Sequence, residues 1–188
     1  TGVPQLVKSG YECDSSDTLL SSNLALNQPV TAGSTSSSTT KEKAVDGDTG
    51  NVHPNHWHSS GTAAQTWWGV TLAQKVRNAR VKIIARNCCN QNGGNEMNVY
   101  LSNTLLADGA DWSSADMHTC INFDVPNNGG TFEDSCQMSA EYQYLYVRPK
   151  EGEDTLHIPE IEVYPEYFTA QQCADACIAD ATCQFFVL

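Results

Sequence analysis

The sequence predicts an all-β fold, an antiparallel β-sandwich carrying a short C-terminal helical, cysteine-containing extension. Three observations predict it. Segments rich in β-branched and aromatic residues recur at strand length. Gly- and Asn-containing turn signals separate them. Before residue 166 no stretch carries a convincing amphipathic helical period.

The first segment, residues 1–22, holds Ser9-Gly10-Tyr11-Glu12-Cys13 and a polar Asp/Ser stretch. It reads as the end of another unit followed by a linker. Thr1-Gly2-Val3-Pro4 is no signal peptide, so a processed or excised form is expected. Asn23 to Val30 opens a new unit, 23–165. The Ser/Thr run from Ser34 to Thr40 is too polar for core and reads as loop or edge. Strands are expected at Thr66–Leu72, Ala79–Arg86, Glu96–Leu101, Gln143–Arg148 and Leu156–Tyr164. Turns are expected at Asn92-Gly93-Gly94, Asp108-Gly109, Asn127 to Gly130 and Glu151-Gly152. Adjacent strand residues face opposite sides, so Trp67 and Trp68 diverge; burial is the default for both.

After Pro165 the pattern changes. The stretch from Thr169 to Asp180 is Ala-rich and helix-prone, with Thr169 as its N-cap. Cys173 and Cys177 are four apart and so share one helix face. The last residues, Cys183 to Leu188, begin a further strand, which makes 166–188 the start of a truncated module.

The chain has 188 residues, room for one core of about 100–150 residues plus extensions. Its net charge of −12 disfavours nucleic acid and anionic lipid, whose phosphates it would repel. No apolar run approaches the roughly 18–20 residues that span a bilayer. Eight cysteines (13, 88, 89, 120, 136, 173, 177 and 183) are not arranged in Cys-x-x-Cys pairs, which argues against zinc ribbons. Irregularly spaced and even in number, they read as disulfides, and hence as an extracellular, secreted or cell-surface setting. No Asn-x-Ser/Thr sequon is present.

No nucleophile elbow, phosphate loop or nucleotide fingerprint occurs, and no enzyme is expected. The pairs Asp46/Asp48 and Glu151/Glu153 resemble a glycosidase couple only in spacing, and they sit on loops.

Four motifs then carry a resemblance. They are Ala44-Val45-Asp46-Gly47-Asp48, Asn55-His56-Trp57-His58-Ser59, Trp67-Trp68-Gly69-Val70-Thr71-Leu72 and Ile161-Glu162-Val163-Tyr164. Together they resemble the discoidin-like domains: coagulation-factor C-type domains, galactose-binding bacterial modules and fucose-binding F-type lectins. The pair Cys88-Cys89 just after Arg86, and the opening Asn23-Leu24-Ala25, are similar to the F-type lectins in particular. The resemblance covers residues 23–165 and implies a discoidin-like jelly roll. From 166 the chain resembles the helical start of a PAN/apple domain, and Ser9 to Cys13 the end of a preceding one.

The resemblance implies a Cys120–Cys136 disulfide, which their isolation and loop length also suit. A second family bridge is lost, its two positions being held here by Pro159 and His56. Cys88–Cys89 is expected as a vicinal disulfide that gives the sugar a flat contact; the alternative is two cysteines on opposite faces with different partners. The remaining four allow three connectivities, of which Cys177–Cys183 is preferred. That leaves Cys13–Cys173, or two cysteines whose partners lie outside this chain.

Ca²⁺ takes six to eight hard oxygens, many of them carbonyls on tight loops. The resemblance implies Asp46 and Glu160 as side-chain ligands, the carbonyls of Lys43, Asp48 and Pro159, and a contribution from Asn55. Such an ion ties an early loop to the last strand. The bland reading makes Asp46-Gly47 a turn and Glu160 a surface residue.

For the sugar, the resemblance implies His58 and Arg86 as gripping residues, with Cys88 and Cys89 beside them. Cys88 stands where the family carries an Asp. Where the family places a second cation, this chain has Asn90, Gln91 and Asn92; an amide such as Gln91 still binds hydroxyls. The bland readings are a strand-end salt bridge for Arg86 and a packed loop histidine for His58. His53, His56 and His58 read first as a His-rich polar loop, with zinc or copper the alternative.

The implied function is a calcium-braced, carbohydrate-binding module of a larger extracellular protein, taking fucosylated or related glycans. The alternative is a structural or adhesion module with a degenerate sugar site, whose partners are other extracellular chains, including self-assembly through neighbouring modules. A membrane-lipid binder is the third reading, and the acidic charge counts against it.

Overall fold

The computed structural model describes residues 7–8, 11–14, 22–50, 54–85, 96–124, 130–150, 155–166 and 168–169. Two long antiparallel strands organise it: β5 (Trp68–Ala85) and β8 (Gly130–Pro149). Their pairing slips between Thr71 and Val76, and again between Val76 and Asn78. The two strands expected at 66–72 and 79–86 are therefore one strand with an irregular middle. The slip falls where exposed Ala73, Gln74 and Lys75 interrupt the apolar pattern, so nothing there fixes one register.

Four further strands join this pair in one sheet. They are β3 (Val30–Ala32), β6 (Glu96–Ser102), β7 (His118–Asp124) and β10 (Glu160–Pro165). The sheet order is β10-β5-β8-β6-β7, with β3 also paired to β5. A two-stranded ladder joins β4 (Trp57–His58) to β9 (His157–Ile158).

Alternation explains the core. On β5, Val81 and Ile83 point inward and are fully buried, and on β10 so are Ile161 and Val163. Outward neighbours pair instead: Lys82 with Glu162 at 2.9 Å, and Arg80 with Glu133. Trp57, Trp68, Leu72, Met97, Leu101 and Leu156 complete the centre.

Both adjacent tryptophans are fully buried. Trp68 joins the main core, while Trp67 lies in a second layer outside the sheet. There it meets Tyr146 edge-on, with ring centroids 5.8 Å apart. Trp112 packs on Tyr146 and Tyr100 at 6.2 and 5.1 Å. The connection 103–117 covers this layer. The Tyr146 hydroxyl donates to the Thr104 carbonyl (3.0 Å) and accepts from Leu106 N–H (2.8 Å), while Trp67 Nε1 donates to the Ala110 carbonyl.

β7 and the first half of β8 were not expected as strands. Their residues are mostly exposed; Ile121 and Phe123 on β7 and Cys136 on β8 are buried. The implied Cys120–Cys136 bond is present and links them, with a separation of 16 residues. Replacing both cysteines by serine is expected to lower stability by about 3 kcal/mol, read from urea unfolding.

The chain ends also pair. β1 (Val7–Lys8) lies beside β2 (Tyr11–Asp14), which runs parallel to β11 (Phe168–Thr169). Thr169, expected as a helix N-cap, is a strand residue opposite Asp14: after the aromatic Phe168, a β-branched residue continues an extended segment readily. The expected helix beyond it, with Cys173, Cys177 and Cys183, lies outside the described residues. Among the described residues no helix is long and apolar enough to cross a membrane.

Candidate functional site

The loop after a short 3₁₀ turn (Lys41–Ala44) carries the acidic residues. Gly47 adopts φ +82°, the left-handed region that favours glycine, and so the chain reverses there. Asp46 Oδ1 accepts from Asp48 N–H at 2.9 Å, and Asp48 Oδ1 accepts from Gly50 N–H at 2.8 Å. Both carboxylates are thus oriented by backbone donors. Asn55 joins them: a Cβ placed on Gly50 would lie 2.9 Å from Asp48 Oδ1 and 3.1 Å from Asn55 Nδ2.

Glu160 reaches this loop from β10. Gly47 N–H donates to both its oxygens at 3.3 Å. Ile158, Pro159 and Glu160 are all buried, although Glu160 has the parity of the outward Glu162. Glu160 is only 1% exposed, which excludes the bland reading of a surface residue. Burial, helped by the charges of Asp46, Glu162 and Asp48, pushes its carboxyl up to about 8 against the opposing Gly47 N–H. Lys43 Nζ meets Asp46 at 2.9 Å, and that hydrogen bond holds the lysine above its ordinary value.

A buried carboxylate facing further acidic oxygens suits a hard divalent cation. Asp46, Asp48 and Glu160 thus gather acidic oxygens around the Gly47 turn, with Asn55 beside Asp48, which is the chemistry the expected calcium site would draw on. Among the described residues, no group of three or more His, Cys, Asp or Glu side chains is placed to hold a metal. A calcium site built mainly from carbonyls does not require one.

His58 stands on β4, held from both sides. Its N–H donates to Thr39 Oγ1 at 3.3 Å, and its carbonyl accepts from Ser36 N–H at 2.8 Å. Trp57 Nε1 donates to Thr35 Oγ1 at 3.0 Å. The polar Ser/Thr run is thus a brace for β4 rather than an idle loop. Thr39→Val removes one of these contacts and is expected to cost about 1 kcal/mol in urea unfolding.

The His58 ring stacks on His157, directly opposite on β9, with centroids 4.0 Å apart and planes at 21°. Buried His56 packs on the same ring at 5.5 Å. His157 falls inside the strand expected at Leu156–Tyr164 but carries no site expectation from the sequence. Arg86, Cys88, Cys89, Gln91 and His53 lie outside the described residues.

Comparison with known proteins places this geometry. The F5/8 type C domain family matches residues 29–161. No curated protein sequence matches. Among solved structures, a fucolectin from the serum of Morone saxatilis (striped bass) superposes with a TM-score of 0.63 at 22% identity. That match covers 80% of this chain and 49% of the fish chain, so the present chain spans about half its length. The lectin domain of lectinolysin, complexed with Lewis B antigen, gives 0.57 at 22% identity, over 77% of this chain and 97% of that one. The family 32 CBM of C. perfringens NanJ, in complex with galactose, gives 0.53 at 14% identity, over 73% and 93%. At these identities the likeness shows the fold alone, a discoidin-like β-sandwich. With the family matched over most of its length, this chain belongs to the F5/8 type C domain family.

Proposed function

We propose that the chain is a calcium-braced, carbohydrate-binding module of a larger extracellular protein, with fucose or a related sugar as its ligand. The observation that carries this reading is His58: its main chain is fixed by Thr39 and Ser36, its ring is backed by His157, and it is half-buried rather than enclosed. A rigid, accessible imidazole can exchange hydrogen bonds with sugar hydroxyls. Arg86 adds charged donors suited to neighbouring oxygens. Gln91 offers an amide, and Cys88 with Cys89 an apolar contact. The lectin and CBM structures with the same fold, complexed with Lewis B antigen and with galactose, support a glycan as the partner.

Calcium would be held by Asp46, Glu160, Asn55 and the carbonyls of Lys43, Asp48 and Pro159. These residues would let a bound divalent cation offset the charges of Asp46, Asp48 and Glu160 and tie the Gly47 loop to β10. The Cys120–Cys136 bond and the cysteine count support an oxidising setting.

A glycan array of fucosylated and galactosylated structures tests the reading. Binding is expected that weakens on chelation and is lost in Arg86→Ala. A blank array from folded, calcium-loaded chain would sink it and leave the adhesion module as the reading.

A further inference from the structure

We propose that His157 is a positioning residue for the sugar site: its imidazole, stacked on His58, fixes the plane of the ring that meets the ligand. The inference rests on the lectin reading and deepens it. His157 itself is 3% exposed, so it has almost no surface to offer a glycan.

The geometry assigns the role. His58 and His157 are direct cross-strand partners on the β4–β9 ladder, which sets their side chains side by side on one face. The stack at 4.0 Å and 21° is near face-to-face. The ladder cannot slide, because the next position is locked twice. Ser59 N–H donates to the Leu156 carbonyl at 3.0 Å, and Leu156 N–H donates to Ser59 Oγ at 2.9 Å. Behind His157, buried His56 supports the ring at 5.5 Å and 46°.

The backbone of His58 is therefore fixed by Thr39, Ser36 and the ladder. His157 covers one face of the imidazole and so restricts rotation of that ring. A hydrogen bond to a hydroxyl depends on the direction of the ring nitrogen, so an unsupported ring would pay in orientation for each bond made.

Two substitutions separate stacking from hydrogen bonding. His157→Phe keeps a ring against His58 and removes the polar atoms. His157→Asn keeps a polar group near the ring position and removes the stack. Affinity for a fucosylated oligosaccharide, by titration calorimetry on the calcium-loaded chain, is expected to fall roughly tenfold in His157→Asn and to stay within about twofold in His157→Phe. In NMR spectra, the ring-current shift on the His58 ring protons should vanish in His157→Asn and persist in His157→Phe.

Unchanged affinity in His157→Asn, where His58→Ala abolishes binding, overturns the positioning role and leaves the lectin reading standing. Equal losses in both variants, tracking equal losses of melting temperature, overturn it as a merely structural effect. A wild type that binds none of the glycans defeats the lectin reading, and with it this proposal.

Discussion

Glu160→Gln should abolish the response of thermal stability to calcium while leaving the metal-free chain at least as stable as the wild type. The two halves of this result have one cause. Without metal, Glu160 is a buried carboxyl beside Asp46, Asp48 and Glu162, and burial with those charges holds it up near 8. Gln keeps the shape and removes the charge. In the calcium reading proposed above, the same charge would serve as a ligand. At a thousandfold excess over its dissociation constant, calcium stabilises a folded domain by roughly 4 kcal/mol, or about 10 °C in Tm for a chain of this size. The wild type should show that rise and Glu160→Gln little of it. The pH dependence in chelator follows with a definite sign. Because the folded-state value exceeds the ordinary 4.5, the folded form holds the extra proton between the two. Stability is greatest below the lower value and falls as pH rises through about 8, and the Gln variant flattens that slope. A calcium-induced rise retained in Glu160→Gln would exclude Glu160 as a ligand.

Gly69→Ala is expected to cost about 2–3 kcal/mol, a large loss for one methyl group. Gly69 pairs with Tyr146 across β5 and β8. A Cβ at Gly69 would overlap the Tyr146 ring carbons and would also press on the Leu145 carbonyl at 3.3 Å. The ring cannot easily retreat. Trp67 and Trp112 flank it, and its hydroxyl is bound at both Thr104 and Leu106. Urea unfolding of Gly69→Ala reads the effect, and shortening the partner in Gly69→Ala/Tyr146→Leu should recover part of the strain. A change below about 0.5 kcal/mol would mean that the outer aromatic layer is loosely packed.

What the sequence revealed and what it hid divide along sequence separation. Val81-Lys82-Ile83 and Ile161-Glu162-Val163 announce their inward and outward faces because alternation is local, and Asp46-Gly47-Asp48 announces a turn for the same reason. The outer aromatic layer is different. Tyr146 has the outward parity, which period-two reasoning sends to solvent; it is buried because the connection 103–117 folds over it. Trp112 sits in a polar stretch and gave no signal. β7 and early β8 show only a thin apolar face, Ile121 and Phe123 with Phe132 and Met138, and are held as much by pairing and by Cys120–Cys136. His157 meets His58 only through the β4–β9 ladder, a contact between distant segments that no spacing rule reports. The resemblance implied Glu160 as a ligand but not its burial, which shows only where β10 meets the Gly47 turn.

The most direct measurement is a calorimetric titration of a fucosylated oligosaccharide into the calcium-loaded chain, with His58→Ala alongside. The account predicts saturable one-site binding in the wild type and at least a tenfold loss in His58→Ala. A folded, calcium-loaded wild type that gives no binding heat and no array signal, or a His58→Ala variant of unchanged affinity, would contradict it.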